Sequence, residues 1–168
     1  HKSEDAELVF HVHPNAGSEI LSESEFWSII ELLDWEKSGE DEAVAEPVIQ
    51  HLSKLSVPKI LQFEDKLSEK LYLLDRKDIA AQDDENGYQQ DNYFSADIFL
   101  YFRCCIVANG KAYFEKVLKN PSELTPNLTF EELLYVAHKA YKRKTGKEME
   151  FLPLYQYETF SNKEGWKK

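Results

Sequence analysis

An all-α domain is the fold this sequence predicts, on three observations. Apolar residues recur at intervals of three and four through most of the chain, helix start and stop signals flank those stretches, and only one short run is β-prone. A chain of 168 residues, 42% hydrophobic and 13% aromatic, has the length and material for one packed core. The expected organisation is an N-terminal arm at 1–21, a helical domain of about six helices at 22–147, and a C-terminal tail at 148–168 docked on that domain.

Leu8 to His13 (LVFHVH) is the β-prone run. Pro14 ends it and Asn-Ala-Gly reads as a turn, so the arm is either an edge strand or an extended segment lying on the body. On a strand His11 and His13 would share a face, as two metal ligands can, but the spacing places no third ligand. Ser22 and Glu25 have capping-box spacing, and Phe26, Ile29, Ile30 and Leu33 follow at helical intervals, which predicts a helix from about Ser24 to Lys37, stopped by Ser38-Gly39. Val44, Val48, Leu52 and Leu55 mark a second helix that Pro47 either opens or kinks. Ser56 with Pro58 starts a long third helix striped by Ile60, Phe63, Leu67, Leu71 and Leu74, expected to be central.

Asp78 to Asp91 (DIAAQDDENGYQQD) reads as a helix end followed by an exposed loop, and its acids are not in the alternating order of a calcium loop. Ser95 can cap a helix bearing Ile98, Phe99, Phe102, Ile106 and Val107, which ends at Asn109-Gly110 and should be the most buried. Lys111 to Lys119 forms a short helix that Asn120-Pro121 terminates. Phe130, Leu133, Leu134, Ala137 and Tyr141 mark the last helix, closed by the basic run Lys139 to Lys147 with Gly146 at its end. The remaining aromatics and Pro153 read as a docked tail.

The formal charge of −11 is unevenly placed, with 23 acidic and 10 basic side chains in residues 1–111 against 8 and 10 in residues 112–168. Glu19 to Glu46 carries ten carboxylates and one Lys, a field that repels a phosphate backbone and attracts a basic surface. Nucleic-acid binding is therefore not expected, and no apolar stretch is long enough for a membrane span. His1 to Glu7 lacks the order of a signal peptide, although an opening His rather than Met leaves export open. Cys104 and Cys105 are neighbours in an apolar run, which favours two reduced, buried thiols and suits a cytosolic setting.

Phe26-Trp27, the stretch Ser95 to Leu124 (SADIFLYFRCCIVANGKAYFEKVLKNPSEL) and the stretch Glu131 to Lys147 (EELLYVAHKAYKRKTGK) resemble a bacterial family, domain-of-unknown-function family 4240, over roughly Glu25 to Lys147. The most specific block, SxD-x-F-x-x-FR ending on a Gly, is carried by Ser95, Asp97, Phe99, Phe102, Arg103 and Gly110. Ala96 stands where members often place an acid, which weakens a paired-carboxylate reading. The resemblance implies an all-α fold and a bacterial cytoplasmic setting, and implies no activity.

Asp97 and Arg103, six residues apart, are about 600° apart around a helix and do not stack. A functional reading joins them to Trp27 or Tyr93 in a polar cleft where the guanidinium holds an anionic group. The reading that residue chemistry favours makes Asp97 a first-turn helix carboxylate and Arg103 a buried clamp between helices. His51 and His138 lie alone on helices with no nucleophile in motif order, and no nucleotide, zinc-protease or serine-hydrolase motif occurs. No catalytic residue, cofactor or metal is assigned.

Two function classes follow. The first is a cytoplasmic interaction or regulatory domain, immunity-like or adaptor-like, that binds a basic protein through Glu40, Asp41, Glu42 and Glu46, beside exposed aromatics such as Trp27 and Trp35. The alternative is a small-ligand binder or enzyme with a cleft around Asp97 and Arg103.

Overall fold

A computed structural model describes residues 20–89 and 92–167. Among these residues the regular structure is all helical, as the periodicity predicts, in seven α-helices with short 3₁₀ turns between them. All of the arm except Ile20 and Leu21, including His11 and His13, lies outside the described residues.

Helix α1 spans Glu23–Ile30, shorter than the expected run to Lys37. Ser22 Oγ accepts from Glu25 N (3.1 Å), as the capping box requires. The Glu25 carboxylate does not reach back to complete that box; it pairs with Lys59 on a later helix at 3.0 Å. The chain leaves helical geometry because the Asp34 N–H donates to Val44 O (3.0 Å) and the Asp34 carboxylate caps a 3₁₀ turn, Trp35–Lys37, through Glu36 N (3.2 Å). A tertiary hydrogen bond thus overrides the local pattern.

Helix α2 (Asp41–Ser53) begins well before Pro47, which lies within it and does not open it. Helix α3 (Val57–Leu73) has Ser56 at its N-cap and Pro58 in its first turn, where a missing N–H costs nothing. It buries Ile60, Leu61, Phe63, Leu67 and Leu71, and also Glu64, Ser68 and Lys70. Lys70 is buried because its Nζ meets Glu23 at 2.7 and 2.8 Å and Glu69 at 3.1 Å, and lies over the Phe26 and Trp27 rings. This cluster locks α1 onto α3. Burial would raise the Glu23 pKa, but hydrogen bonds from Lys70 and Lys66 outweigh it and hold the carboxyl below its ordinary value.

Helix α4 (Lys77–Ala80) is a single turn, and it brings the number of helices to seven against the expected six. The loop after it is not uniformly exposed. Asp83 and Asn86 are buried, and the Asn86 amide exchanges two hydrogen bonds with the Ser95 backbone (2.8 and 3.0 Å), tying the loop to the start of α5. Helix α5 (Ala96–Ala108) starts on the cap from Ser95 Oγ to Ile98 N, and every residue from Phe99 except Tyr101 is buried. An apolar surface on all sides is the mark of a helix enclosed by others, and α5 packs against α3, α6 (Lys111–Lys119) and the 3₁₀ segment Glu131–Tyr135. Cys104 and Cys105 are free thiols in this interior, and burial pushes the Cys105 pKa up to about 11.

The last helix, α7 (Val136–Thr145), begins six residues later than Phe130, since Glu131–Tyr135 winds as a 3₁₀ segment first. Gly146 ends it at φ +73°, with its N–H on Lys142 O. Helix α7 lies along α2 and α3, and Arg143 pairs with Glu46 of α2 at 2.6 and 3.1 Å.

Beyond Gly146 the chain runs without regular secondary structure from Glu150 to Phe160, bending at 154–155 and turning at 159–160, with alternate residues half-buried (Phe151, Pro153, Tyr155, Tyr157, Thr159) and exposed. Two buried ionic side chains hold it. Arg103 donates to Leu71 O and Tyr157 O (2.8 Å each) and to Thr159 Oγ1 (2.9 Å). Asp75 accepts from Phe160 N (3.2 Å), Asn162 N (2.9 Å) and Trp166 Nε1 (2.7 Å). Around them Tyr88, Phe94, Phe99, Phe160 and Trp166 form an aromatic cluster, with Phe160 and Trp166 at 4.5 Å. Gly165 lies so close to the α3 exit that a Cβ there would sit 2.6 Å from Asp75 O.

Replacing Arg103 by Met should lower stability by about 3 kcal/mol, because two buried carbonyls lose their donor. Asp75→Ala should cost a similar amount. Since both side chains hold one segment, the double variant should lose clearly less than the sum, read from urea unfolding midpoints. Amide exchange at Asn162 should accelerate in each single variant.

Candidate functional site

The four residues of the sequence-predicted cleft are not brought together as one constellation. Trp27 is 5% exposed and packs against Phe26 and Phe114, which corrects the expectation that it is an exposed aromatic. Tyr93 is 88% exposed, in the segment before α5. Arg103 is fully buried, with its guanidinium 4.7 Å from the Phe99 ring centre and no carboxylate within ion-pair distance among the described residues. Burial depresses its pKa to about 10, and Asp75, Cys104 and Glu158 act in the opposite sense. Its Nη1 and Nη2 groups meet three acceptors on α3 and the tail, which makes it a clamp, while its buried Nε has no hydrogen-bond partner. Asp97 is exposed on the first turn of α5.

Apart from Asp34, which caps the 3₁₀ turn, the described carboxylates of the acidic run divide into two populations. Glu23, Glu25 and Glu46 are tied to Lys66 and Lys70, Lys59 and Arg143 respectively, and serve to join helices. Glu31, Glu36, Glu40, Asp41 and Glu42 are exposed and form no ion pair among the described residues. They flank the turn between α1 and α2, where Leu32 and Trp35 are each 40% exposed. Trp35 rests on Phe130 at 5.2 Å, which fixes the ring while leaving an edge in solvent. The result is a carboxylate-rich surface around two apolar side chains.

A second feature was not legible as a site. A cavity of about 450 Å³ opens between α5, α7 and the tail, lined by Asp97, Leu100 and Tyr101, by Leu134, Tyr135 and His138, and by Tyr157 and Glu158. Asp97, Leu100 and Tyr101 share one face of α5 by their three- and four-residue spacing. The buried Leu100 and Leu134 contribute apolar wall, and polar groups supply the rest.

Beside this cavity His138 Nε2 lies 3.6 Å from Glu64 Oε1, a carboxylate on the buried, largely apolar face of α3 that is only 2% exposed. The other oxygen, Oε2, is buried and has no hydrogen-bond partner. The Glu64 carboxylate raises the His138 pKa above its ordinary 6.5; burial opposes this and is outweighed. Nearby, Tyr135 Oη donates to Glu131 at 2.6 Å, and this bond pushes the phenol pKa up to about 12. Burial, then Glu64 and Glu158, push Tyr157 to about 12, and burial, Glu131 and Asp97 raise Tyr101. All three phenols are neutral at physiological pH. Among the described residues no cluster of His, Cys, Asp and Glu has the arrangement to hold a metal ion. No described helix is long and apolar enough to cross a membrane.

A family described as "Protein of unknown function (DUF4240)" matches residues 21–143, well over half of the chain and including α1 to α6 and most of α7. The chain belongs to this family. The match ends before the tail, so the partners that Arg103 and Asp75 find at 157–166 lie beyond the matched residues. No curated protein and no solved structure gives a significant match.

Sequence reasoning missed His138–Glu64 because the two residues are far apart in the chain. The signal that could have found Glu64 is a carboxylate four residues after Ile60 and seven before Leu71, on a buried stripe. In ¹H–¹⁵N or ¹H–¹³C NMR titration the His138 imidazole should titrate above 6.5, and Glu64→Gln should bring it down toward or below that value. Because the folded-state pKa is raised, the pair's contribution to stability is fully present below the unfolded histidine pKa and is lost as pH rises through the folded one. Wild-type stability should therefore fall across that window relative to Glu64→Gln.

Proposed function

We propose that this family member is a bacterial, cytoplasmic protein-interaction domain, of the adaptor or immunity type, that docks a basic surface of another protein on the turn between α1 and α2. One observation carries the reading. Glu31, Glu36, Glu40, Asp41 and Glu42 form no ion pair among the described residues and surround the half-exposed Leu32 and Trp35, whereas Glu23, Glu25 and Glu46 of the same run are tied to lysine or arginine and Asp34 is spent on capping the 3₁₀ turn. Anchoring apolar groups inside a charged rim is the usual anatomy of a protein interface, and a single-sign rim speeds the encounter with a partner of opposite sign. Glu46, bound to Arg143, contributes less of this field than its unpaired neighbours.

The test is capture from the native cell at low ionic strength with wild type, with the Glu40→Lys/Asp41→Lys/Glu42→Lys variant, and with a control variant reversed at Glu148 and Glu150 outside the patch. A basic protein retained by wild type and the control, released by salt and lost on the triple reversal, is the expected result. Capture that survives the triple reversal, or no reproducible partner in any arm, would overturn the reading.

A further inference from the structure

We propose that the cavity between α5, α7 and the tail binds an organic cation, an alkylammonium group held among Tyr101, Tyr135 and Tyr157 with Asp97 and Glu158 supplying the countercharge. This goes beyond the acidic face of α1 and α2 and does not rest on it. The first support is composition in space. Three elements far apart in sequence bring three tyrosines and two carboxylates to one concavity of about 450 Å³, and neither Lys nor Arg is among its lining residues. That volume is in the range of small-ligand sites and exceeds what an alkylammonium needs.

The second support is that the three rings are not paired with other rings, although Tyr101 and Tyr157 also pack against the core. None of the three rings stacks on another ring among the described residues, although aromatic pairs are common elsewhere in this chain. Tyrosine faces carry negative electrostatic potential and attract ammonium groups within about 6 Å, more strongly when water is partly excluded. The half-buried Tyr101 and Tyr157 rings, beside the buried Leu100 and Leu134, meet that condition, and the more exposed Tyr135 adds its ring at the rim.

The third support is the local field. Asp97, Glu158 and Glu131 surround the phenols, and Glu64 stands behind His138. Carboxylates that make a phenol harder to ionise and an imidazole easier to protonate create a potential in which an incoming cation is favoured and an anion is repelled. His138 is the one lining residue that can become positive, so the site is best filled when its imidazole is neutral.

Titration calorimetry and ligand-observed NMR at low salt, under mildly alkaline conditions, test the site on the whole chain. The probes are n-butylammonium, spermidine and a blocked Gly-Lys-Gly tripeptide, against the neutral n-butanol and the anionic butyrate. Saturable binding of the cations, with n-butanol and butyrate at least tenfold weaker, is expected. The exposed Asp97→Asn/Glu158→Gln pair should weaken n-butylammonium by about fivefold or more, and Tyr135→Leu by about threefold, with unfolding midpoints of the carboxylate variant unchanged. The Glu40→Lys/Asp41→Lys/Glu42→Lys variant should bind as wild type does, which separates this site from the acidic face. Tighter binding of spermidine would assign a free amine as the natural ligand, and tighter binding of the tripeptide a lysine carried by a protein. The proposal fails if no cation saturates, if n-butanol binds equally well, or if the carboxylate pair leaves cation affinity unchanged.

Discussion

The buried C-terminal end of α3 is the constraint on which the rest of the arrangement depends. A helix of 17 residues ends with carbonyls that its own backbone cannot satisfy and with the negative pole of its dipole pointing into the protein. Leu71 O is met by the Arg103 guanidinium, and Tyr72 O by the Asn162 amide as well as by Asp75 N. A positive charge at a helix C-terminus is electrostatically favourable, and that resolves why an arginine can sit fully buried with no carboxylate bound to it. The tail is thereby part of the core's polar accounting and not an appendage.

From that constraint the cavity follows. Arg103 fixes the backbone at Tyr157 and the side chain at Thr159, and so places the Tyr157 ring and the Glu158 carboxylate against α5 and α7. The residue that the sequence offered as a ligand-binding guanidinium instead positions one wall of a concavity whose other walls carry Asp97 and His138. Charge is divided in the same practical way. Basic residues of α3 and α7 consume the carboxylates that hold helices together, and the turn between α1 and α2 retains those with no such duty.

Much of the fold was legible because helix periodicity and caps are local. Ser95, Gly110 and Gly146 delimit α5, α6 and α7 where their chemistry places them, and the apolar run of α5 correctly marked the most enclosed helix. Errors came where a distant partner intervened. The α1 helix stops early because Val44 takes the Asp34 N–H, and the polar loop after α4 is drawn inward because Asn86 finds the Ser95 backbone. The sites were less legible for the same reason. Asp97 was visible from its motif, but Tyr101, Tyr135 and Tyr157 read as ordinary aromatics until the tail set them around one space, and Glu64 has meaning only beside His138.

The separation between Arg103 and its acceptors has a consequence in time. Tyr157 and Thr159 follow it by 54 and 56 residues, and the Trp166 indole follows Asp75 by 91. On a ribosome that adds about 5–20 residues per second, the guanidinium and the α3 terminus emerge seconds before the groups that complete them. Until then both must stay hydrated, which keeps α3 and α5 from closing fully on each other. Final consolidation of the core is therefore a late event in synthesis, triggered by the arrival of a segment that contributes few core residues of its own.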